Sequence, residues 1–397
     1  MIWTFSFWMA ISSFIFVMTM WMLLRHNRRH AFRLESAPKP LGTPLVSFLV
    51  PARNEEASLP TTLESWLQSD YPNLEVIVLD DHSTDKTPEI LASFQKKYPR
   101  RLKIIHGKPL PAGWNGKNWA CEQLGAVATG DILLFCDADV TIGSRAVSQT
   151  VSTLQHTGSG LVTAIPHQRM RSWGEKAVVP FVMYLPTLGF VSLRFAFRSL
   201  STLFTVANGQ WMTFSREAYQ RVGGHASVKD AIVEDMAIAR LVKEAGLRVC
   251  PVLAFEQISV RMYDSFSAVI SGFRKNLFAL LGFKFRNLFI VSIFFVFAGV
   301  LPWLMPLLLG GIWWLPFVAF VLARVESTWI TGQHPGEIVF HPIGAFCMLG
   351  IAVGAIRDTF TNQLTWKDRV LVRPSSGEEH EIAQTRTLEE TFGQKAS

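Results

Sequence analysis

Two aspartates separated by one residue follow a short apolar run. The run 133–136 is typical of a buried strand, and Asp137 and Asp139 come directly after it. Side chains at positions i and i+2 of an extended chain project to the same side, so both carboxylates can face one site. Carboxylate oxygens suit Mg²⁺ and Mn²⁺, which keep open positions for substrate phosphates. The spacing therefore predicts a divalent-cation site, with a solvated acidic loop as the alternative.

Acidic residues also follow an earlier apolar run. The run 74–79 ends in Asp80 and Asp81, and a helical pattern begins a few residues later, at 84. The polar residues at 83–85 are typical helix caps, but capping does not account for the two aspartates before them. Two neighbouring acids after a buried strand suit hydrogen bonds to a ribose or a base edge. The helix N-terminus that follows offers backbone N–H groups to an anion.

A lysine and a second acid pair open two later helices. Lys117 follows a glycine-containing turn and opens the helical pattern 116–128, so it can reach a phosphate, with a surface lysine as the alternative. Glu234 and Asp235 open a helical pattern that continues to residue 245. Acids in a first turn commonly complement the helix dipole. The functional alternative makes Asp235 a general base that takes a proton from a hydroxyl or carboxylic acid acceptor.

Alternating strand and helix patterns from 45 to about 253 must position these residues. Short apolar runs alternate with helical patterns, which predicts an α/β fold with a parallel sheet covered on both faces. Ligands of such sheets bind beyond the carboxyl ends of the strands, where the polar residues stand. The predicted strands are 45–50, 74–79, 101–105 and 132–136, and the predicted helices are 55–68, 84–97, 116–128 and 144–154.

The N-terminal segment has the composition of a membrane anchor. Residues 2–24 carry no charge and are long enough to cross a bilayer, and a basic cluster follows at 25–30. A cleaved signal peptide would carry its charges before the apolar stretch. The layout predicts a retained anchor with its N-terminus outside and the rest of the chain in the cytoplasm, hence a multi-pass protein of the plasma membrane.

Apolar segments also follow the sheet-like region. Residues 288–323 are long enough for two spans, or for one span and a re-entrant piece, and 338–356 for one more. Three late crossings would put the tail outside, whereas the basic residues of 367–373 favour the inside, so the topology stays open. A further apolar stretch, 178–193, is either a membrane-facing interfacial helix or part of the core.

Composition limits the class of protein. The net charge is +7, and the basic residues gather beside apolar segments, which indicates a membrane surface and no nucleic-acid partner. The mean hydropathy of +0.24 fits a soluble domain joined to a few spans. The four cysteines lie far apart without Cys-x-x-Cys spacing, so a disulfide framework or zinc site is not expected and a reducing compartment is.

Six short motifs occur in a fixed order between residues 51 and 235. They are Pro-Ala-Arg-Asn-Glu-Glu at 51–56, Asp-Asp-His-Ser-Thr-Asp at 80–85, Gly-Lys at 116–117, Asp-Ala-Asp at 137–139, Gly-Gly-His at 223–225 and Glu-Asp at 234–235. The set resembles glycosyltransferase family 2, inverting enzymes that use nucleotide sugars and have the GT-A fold. The resemblance runs from 51 to about 280. It implies a Rossmann-like, nucleotide-diphospho-sugar transferase domain.

The resemblance implies a role for each matching residue. The residues implied to bind the nucleotide-sugar donor are Pro51, Ala52, Arg53, Glu55, Asp80, Asp81, Gly116, Lys117 and Asp137. Asp139, together with Asp137, would ligate Mg²⁺ or Mn²⁺. Asp235, with Glu234 beside it, would be the catalytic base. Lys117 and the metal would offset charge on the departing diphosphate, and a single displacement would invert the anomeric carbon.

The acceptor is predicted to be apolar. Processive polysaccharide synthases of the family carry Gln-x-x-Arg-Trp, which the run 257–262 does not match. Segments 261–263 and 272–276 instead resemble the 4,4'-diaponeurosporenoate glycosyltransferases of carotenoid biosynthesis. That resemblance implies UDP-glucose as donor and a carotenoid acid or another lipid as acceptor. Arg261 or Lys275 can orient an acceptor carboxylate and Trp114 can stack on a sugar, with core or surface roles as the alternatives.

Two other functions stay open at this stage. One is sugar transfer to a polysaccharide or a polyprenyl phosphate. The other is an inactive membrane scaffold of a lipid pathway, against which the intact acids weigh. The predicted organisation is an anchor at 1–24, a basic juxtamembrane linker at 25–44, the GT-A domain at 45–286, a membrane region at 287–357 and a polar tail at 358–397.

Overall fold

The computed structural model describes residues 2–281 and 285–360 and two short strands, 365–366 and 369–370. Side chains are described within these ranges except at 2, 3, 186, 275, 276, 278–280 and from 358 onwards. Most of the predicted polar tail therefore lies outside the described residues.

The sheet-forming part of the chain alternates strands and helices as the sequence predicts. The strands are β1 (Phe32–Arg33), β2 (Val46–Ala52), β3 (Leu74–Asp80), β4 (Leu102–His106), β5 (Ile132–Cys136), β6 (Val140–Ile142), β7 (Leu161–Ile165), β8 (His167–Gln168), β9 (Trp211–Ser215), β10 (Val249–Leu253), β11 (Ile258–Val260), β12 (Thr365–Trp366) and β13 (Arg369–Val370). The helices up to the end of this part are α1 (Ile2–His30), α2 (Leu59–Leu67), α3 (Thr87–Lys97), α4 (Gly116–Val127), α5 (Ala146–Thr157), α6 (Trp173–Val179), α7 (Leu185–Phe190), α8 (Leu193–Arg198), α9 (Arg216–Arg221) and α10 (Glu234–Glu244).

The C-terminal part is helical. Its helices are α11 (Phe266–Leu280), α12 (Phe285–Phe294), α13 (Leu301–Leu309), α14 (Trp314–Thr331) and α15 (His341–Phe360). Two π-helical turns, Pro180–Tyr184 and Phe295–Val300, join α6 to α7 and α12 to α13. Short 3₁₀ turns are formed by Leu34–Ser36, Thr202–Phe204, Gly224–Val228, Gly311–Trp313 and Pro335–Phe340.

An eight-stranded sheet in the order β1-β10-β7-β9-β5-β2-β3-β4 forms the frame of the domain. Every neighbouring pair is parallel except those of β9, which is antiparallel to β5 and β7. The register pairs Ala52 with Asp80, so β2 and β3 end at the same edge. Because β9 runs the other way, its first residue, Trp211, pairs with Cys136, the last residue of β5. The loop before β9 therefore enters the same edge as the loops after β2, β3 and β5.

The strands are apolar on both faces because each face packs against helices. Along β2, Val46, Phe48 and Val50 pack into one buried cluster, and Leu49 packs into another on the opposite face. This alternation follows from the two-residue period of a strand. Trp66 of α2 completes the first layer, where its Nε1 donates to the Val140 carbonyl at 2.9 Å. The prediction of an α/β fold with a sheet covered on both faces is confirmed.

Predicted element ends move by up to four residues. The second helix begins at Leu59 and not at 55, and α3 begins at Thr87 and not at 84. In both cases the preceding polar residues form a loop at the sheet edge instead of the first helical turn. Proline at the second position of each helix explains the delayed start, because it has no N–H to donate and a fixed φ.

Within the part of the chain that the structure describes, three helices are long and apolar enough to cross a membrane: Thr4–His30, Phe285–Leu309 and Pro335–Arg357. The first helix continues through 25–30, so the basic cluster forms its last turns. Arg28 pairs there with Glu326 of α14 at 2.5 Å. At the other end of α1, Trp313 Nε1 donates to Ser6 Oγ at 3.0 Å. Helix α14 therefore lies along α1 and runs in the same direction.

The apolar stretch 178–193 belongs to the core between the sheet-containing domain and these helices. Val178, Phe181 and Leu188 are buried, in one cluster with residues of α1, α11 and α15. Asn27 of α1 donates to the carbonyls of Leu188 and Val191, both at 2.7 Å. Of the two alternatives for this stretch, core packing describes most of its side chains.

Candidate active site

The loops after β2 and β3 are tied together by hydrogen bonds between their backbones and polar side chains. Arg53 Nη1 donates to the Asp81 carbonyl at 2.7 Å. The Asn54 backbone N–H donates to Ser83 Oγ at 3.0 Å, and Asn54 Oδ1 accepts from the Thr84 backbone at 2.8 Å. Asn54 has φ 52°, which an asparagine tolerates better than most residues. The two loops therefore form one rigid polar rim at the carboxyl edge of the sheet.

Asp80 and Asp81 are both buried in this rim. Asp80 Oδ1 accepts from the Ser83 backbone N–H at 3.1 Å. Asp81 lies against Gly107, where a Cβ would stand 3.2 Å from its Oδ1, so a side chain at 107 would crowd the carboxylate. The fold therefore holds both carboxylates at the carboxyl edge of the sheet.

Lys117 lies between two carboxylates. Its Nζ is 2.7 Å from Asp137 Oδ1 and 2.8 Å from Glu234 Oε1. Burial disfavours the ammonium, but the two carboxylates outweigh burial and raise the pKa of Lys117 well above its usual value. The pKa of Glu234 is lowered although burial opposes this, because the ammonium stabilises the carboxylate. Lys117 thus connects the acids after β5 with those that open α10.

The start of α4 is fixed to the loop before α10. Asn115 Nδ2 donates to the Asp230 carbonyl at 2.8 Å, and Asn118 Nδ2 donates to the Val228 carbonyl at 2.7 Å. Because these amides hold the two segments together, Lys117 and Glu234 meet without either side chain reaching far. Asn118 carries this function and was missed by sequence reasoning, since a buried helical asparagine has no short-range signature.

Asp235 is oriented by two backbone donors. Its Oδ2 accepts from the Gly209 N–H and its Oδ1 from the Met236 N–H, both at 2.7 Å. Burial and the neighbouring Glu234 charge raise the pKa of Asp235 to about 7, against the effect of these bonds. A Cβ on Gly209 would lie 3.2 Å from Glu234 Oε1 and 3.3 Å from Lys117 Nζ, so glycine lets the loop before β9 approach the charged group. A carboxylate with a pKa near neutrality suits a general base.

Asp139 has an oxygen without a hydrogen-bond partner. Its Oδ1 is shielded from solvent, and burial together with Asp137 and Glu55 raises the pKa of this carboxyl to about 7. Within the described ranges, no group of three or more His, Cys, Asp or Glu side chains forms a complete metal site. Mg²⁺ commonly binds one or two carboxylates and completes its shell with waters and substrate phosphates. Asp137 and Asp139 fit that pattern, because a cation would satisfy the buried oxygen.

One cavity of about 690 Å³ connects these charged residues with an apolar end. At the polar end it is lined by Pro51, Glu55, Lys117, Asp137, Asp139, Glu234 and Asp235. At the apolar end it is lined by Phe181, Val182, Met183, Val191, Phe273, Leu277, Leu281, Val291, Phe295 and Met348. The apolar end thus consists of the 180–191 segment and of α11, α12 and α15.

The sequence-predicted residues divide into two groups around this cavity. Those with a carboxylate or ammonium after β5 and at the starts of α4 and α10 meet in it, together with Pro51 of β2 and Glu55 after that strand. Five other predicted donor-binding residues lie at the same sheet edge but not in the described lining: Ala52, Arg53, Asp80, Asp81 and Gly116. They extend the polar end along the rim from β5 toward β4.

Two of the three predicted acceptor-binding residues, Arg261 and Trp114, are not in the described lining of the cavity. Arg261 forms a two-pronged ion pair with buried Glu175, with Nε–Oε1 at 3.0 Å and Nη2–Oε2 at 3.2 Å. Trp114 packs edge-on against Trp119, with ring centroids 5.0 Å apart. Lys275 belongs to α11, but its side chain lies outside the described residues. The ion pair between Arg261 and Glu175 could not be recognised from the sequence, because 86 residues separate the two side chains.

Two further features of the cavity were missed by sequence reasoning. Gln168 Nε2 donates to Gln210 Oε1 at 3.0 Å, and both side chains are buried next to the loop that holds Asp235. Tyr263 lies over Gly272 of α11, where a Cβ would come 2.4 Å from the ring. The first contact joins residues 42 positions apart and had no local signal, whereas the second had one, the glycine within α11.

A family model and curated relatives match this chain. The model described as "Glycosyl transferase family 21" matches residues 5–349. A 4,4'-diaponeurosporenoate glycosyltransferase of Staphylococcus haemolyticus (strain JCSC1435) is 29% identical over 64% of this chain and 66% of its own length. The protein of the same name from Staphylococcus aureus (strain USA300) is 28% identical over 63% and 65%. The chain thus spans just under two thirds of the length of these relatives.

A solved structure shares the fold. The mannosyltransferase PcManGT from Pyrobaculum calidifontis, in complex with GDP-Man and Mn²⁺, superposes with a TM-score of 0.56 at 19% identity. The match covers 91% of this chain and 99% of the other. The predicted GT-A-like fold with apolar helices at both ends is confirmed.

These matches refine the family seen in the motifs. The resemblance to glycosyltransferases, and among them to the 4,4'-diaponeurosporenoate enzymes, is confirmed. The family number differs, because the matching model is that of family 21, whereas membership of family 2 stays a prediction. Since that model matches residues 5–349 of 397, the chain belongs to glycosyl transferase family 21.

Proposed function

We propose that this protein is an inverting glycosyltransferase that moves a sugar from a nucleoside diphosphate sugar to a lipid acceptor in the membrane. UDP-glucose is the first donor to test. The observation that carries the proposal is the single cavity, which has an acid–lysine cluster at one end and an apolar wall of helices at the other. A space with these two ends can hold a water-soluble donor beside a lipid acceptor.

The donor is proposed to lie along the carboxyl edge of the sheet. The nucleoside would lie on the rim formed by the loops after β2 and β3, with Asp80 and Asp81 as hydrogen-bond acceptors. Arg53 and Asn54 hold the rim together, as their bonds to the Asp81 carbonyl and Ser83 hydroxyl indicate. The diphosphate would lie toward Lys117 and the Asp137–Asp139 pair. Lys117 would hold negative charge at the leaving group while its contacts with Asp137 and Glu234 fix its position.

A divalent cation is the proposed cofactor. Asp139 and Asp137 would hold Mg²⁺ or Mn²⁺, which supplies charge neutralisation to the departing diphosphate when bound. The shielded Asp139 Oδ1 without a hydrogen-bond partner supports this assignment. The presence of Mn²⁺ in the complex of the mannosyltransferase PcManGT is compatible with it.

Asp235 is the proposed general base. Two backbone N–H groups hold both of its oxygens, and its pKa of about 7 allows it to accept a proton at neutral pH. It would take the proton of the acceptor hydroxyl as that oxygen attacks the anomeric carbon. The leaving diphosphate departs from the opposite face, so the single displacement inverts the configuration. Glu234 would keep Lys117 in place rather than react.

The charges at the polar end favour an acceptor hydroxyl over an acceptor carboxylate. Five carboxylates line the cavity, and Lys117, the one cation in its described lining, already contacts two of them. Arg261, the predicted partner of an acceptor carboxylate, is engaged by Glu175. The name of the staphylococcal relatives implies a carotenoid acid, so that acceptor is the alternative to test beside an alcohol.

The proposed location is the plasma membrane, with the catalytic domain on the cytoplasmic side. The basic residues at the end of α1 favour this orientation. Helix α14 runs alongside α1 in the same direction, and Phe285–Leu309 precedes it. Two crossings, by Phe285–Leu309 and α14, would return the chain to the cytoplasmic side before α15.

The test uses full-length protein in phosphatidylcholine nanodiscs with Mg²⁺ or Mn²⁺. Tritiated UDP-glucose, with GDP-mannose and UDP-N-acetylglucosamine in parallel, is offered with a long-chain alcohol, the matching carboxylic acid and the matching phosphate monoester. We expect one added sugar on a lipid, detected by mass spectrometry, with β-linkage from an α-linked donor. Label found only in a polymer would support the polysaccharide alternative. Nucleotide release without any glycosylated lipid would contradict the proposal.

Two variants separate an enzyme from a scaffold. Asp139→Ala and Asp235→Asn are tested against wild type for lipid glycosylation in cells that lack the native gene. An enzyme loses the product in both variants, while the protein still reaches the membrane. Full product formation with both variants would show that another protein performs the chemistry.

A further inference from the structure

The segment that joins α7 to β9 carries an exposed apolar surface. Its residues 192–204 comprise α8 and the 3₁₀ turn Thr202–Phe204, and we call them the 192–204 loop. Phe195, Leu200 and Leu203 of this loop are 50%, 48% and 80% exposed. Single exposed apolar side chains are ordinary on a protein surface, whereas several in one short loop indicate an interaction site.

A buried lysine holds the backbone of this loop. Lys243 of α10 is 2% exposed. Its Nζ donates to the carbonyls of Ala196, Ser201 and Phe204 at 3.0, 3.3 and 2.9 Å. Burial lowers the pKa of Lys243 to about 8, so at neutral pH the group is still an ammonium with three N–H donors for these carbonyls. The loop therefore has a fixed shape, and the exposure of Phe195 belongs to a defined surface.

The loop begins where α1 changes from apolar to basic. Directly before the loop, Phe190 packs against Phe16 of α1, with ring centroids 5.5 Å apart. At the start of the loop, the Leu193 N–H donates to Asn27 Oδ1 at 2.9 Å. Asn27 lies three residues, or about 4.5 Å of helix, beyond the uncharged run 2–24. In a bilayer crossed by α1, the loop would thus lie at the boundary between acyl chains and head groups.

The charge of the segment fits a head-group region. No acidic residue occurs in the sequence between Glu175 and Glu217. Arg198 is exposed and follows Phe195 by three residues in α8, so the two side chains lie on the same side of that helix. Exposed apolar side chains beside an arginine, in a segment without carboxylates, are typical of a surface that lies in the interface of an anionic membrane.

We propose that the 192–204 loop docks on the head-group surface of the bilayer that α1 crosses. Its three exposed apolar side chains insert between the lipids, and Arg198 contacts their phosphates. A bilayer fits this surface better than a second protein does, because α1 brings the loop to the membrane boundary and head-group phosphates complement the arginine. The inference rests on the proposed crossing of the membrane by α1 and not on the proposed transferase activity.

Docking would bring one wall of the central cavity to the bilayer surface. Val191, directly before the loop, and Thr205 and Val206, directly after it, line that cavity. The same stretch continues to Gly209, whose N–H donates to Asp235. A docked loop would therefore fix the height of this wall above the acyl chains.

Docking is measured on the full chain in nanodiscs of phosphatidylcholine and phosphatidylglycerol, by the collisions of a nitroxide spin label with two reagents. Oxygen concentrates in the bilayer, whereas nickel ethylenediaminediacetate stays in water. The label is attached at Leu203→Cys in a Cys347→Ala chain, whose three remaining cysteines are buried. Reference labels are attached at Ile15→Cys, 58% exposed on α1, and at Ser93→Cys, an exposed position of α3.

We expect the label at 203 to collide mainly with oxygen, as the Ile15 label does, at a depth of roughly 5–10 Å below the phosphates. Collision rates like those at Ser93 would overturn the proposal. Shielding from both reagents would also overturn it, because protein, such as a second copy of this chain, would then cover the loop. A water-exposed label at Ile15 would refute the crossing by α1, so this failure is distinguishable from a failure of docking alone.

Polar substitutions test whether the apolar side chains cause docking. Phe195 and Leu200 are about half exposed, so changing them removes little core packing. Phe195→Ser with Leu200→Ser should shift the label at 203 toward the collision rates measured at Ser93. Phe195→Leu with Leu200→Ile keeps the apolar character and should leave the label in lipid. Equal collision rates in the two double variants would contradict insertion of these side chains.

The role of the arginine is tested with a matched pair of charge variants. Arg198→Gln should lower the ratio of oxygen to nickel collisions at 203, because the loop loses its attraction to head-group phosphates. Arg100→Gln, at an exposed arginine before β4, should leave the ratio unchanged. Equal ratios in these two variants would contradict the contact between Arg198 and the phosphates.

Discussion

The two ends of the central cavity are built in different ways. The polar end is assembled from loops and first helical turns at one edge of a sheet. Several of its charged groups are held by short polar contacts, as Lys117 is by Asp137 and Glu234. The apolar end is assembled from helices remote in the chain, such as the 180–191 segment and α11, which meet only through packing. Polar contacts fix an orientation, whereas apolar packing fixes a shape.

This difference in construction indicates which property of the reaction each end of the cavity determines. The polar end determines the chemistry, because the reactivity of Asp235 and Asp139 depends on a few specific neighbours. The apolar end determines which lipid enters, because it excludes molecules that are too large or too polar for it. Substitutions at the two ends should therefore change different kinetic quantities.

Removing the proposed base gives the largest expected effect. Asp235→Asn keeps the shape and one hydrogen-bond acceptor for the Gly209 and Met236 N–H groups but cannot take a proton. We expect kcat to fall about 10²–10⁴-fold with little change in donor affinity. Initial rates and equilibrium binding of the donor are measured on the same preparation. A variant that loses donor binding and keeps its rate at saturation would show that Asp235 belongs to the donor site instead.

The pH profile tests the same residue in the wild-type chain. The pKa of Asp235 is raised to about 7, and a base must be ionised, so activity should be full above that pH and fall as pH decreases through it. The expected slope is about tenfold for each pH unit below 7. Log kcat/KM is plotted from pH 5 to pH 9 at saturating metal. A flat profile down to pH 5 would contradict an Asp235 base with this pKa.

Filling the apolar end should affect the acceptor alone. Leu277 lines the cavity from α11 and is 7% exposed, so Leu277→Trp places extra bulk where the acceptor chain would lie. We expect about a tenfold lower kcat/KM for a long-chain acceptor and an unchanged KM for the donor. Leu277→Met, close in volume, is the control. An equal loss of kcat/KM for the donor and for the acceptor would show that the two ends of the cavity do not act separately.

Removing the central cation should cost stability in addition to the activity that depends on Lys117 at the leaving group. Lys117→Met leaves the Asp137 and Glu234 carboxylates, 28% and 12% exposed, without their partner. We expect a loss of about 1–3 kcal/mol in unfolding free energy, read as a lower Tm in the absence of donor. Lys103→Met, at an exposed position of β4, is the control. Restoration of stability in Lys117→Met with Glu234→Gln would attribute the loss to the unpaired acid.

Much of the polar end was predictable because its signals are local. The strand that ends before Asp137, the lysine that opens α4 and the acid pair that opens α10 each occupy a few consecutive residues. Once a parallel sheet is predicted, the carboxyl ends of its strands must meet, and residues such as Asp80 and Lys117 come to the same edge. The delayed starts of α2 and α3 were missed because helical periodicity extends into the polar loops before them.

The sequence by itself determined the alternation of strands and helices, the candidate spans and the order of the charged motifs, because these depend on periodicity and short spacing. Only the tertiary structure decided how the motifs are used. It placed Lys117 between two acids and assigned Arg261 to Glu175, 86 residues away. It also joined the 180–191 segment and α11 into the wall of one cavity. Apolar packing and long-range ion pairs depend on which surfaces meet, and that information is spread over the whole chain.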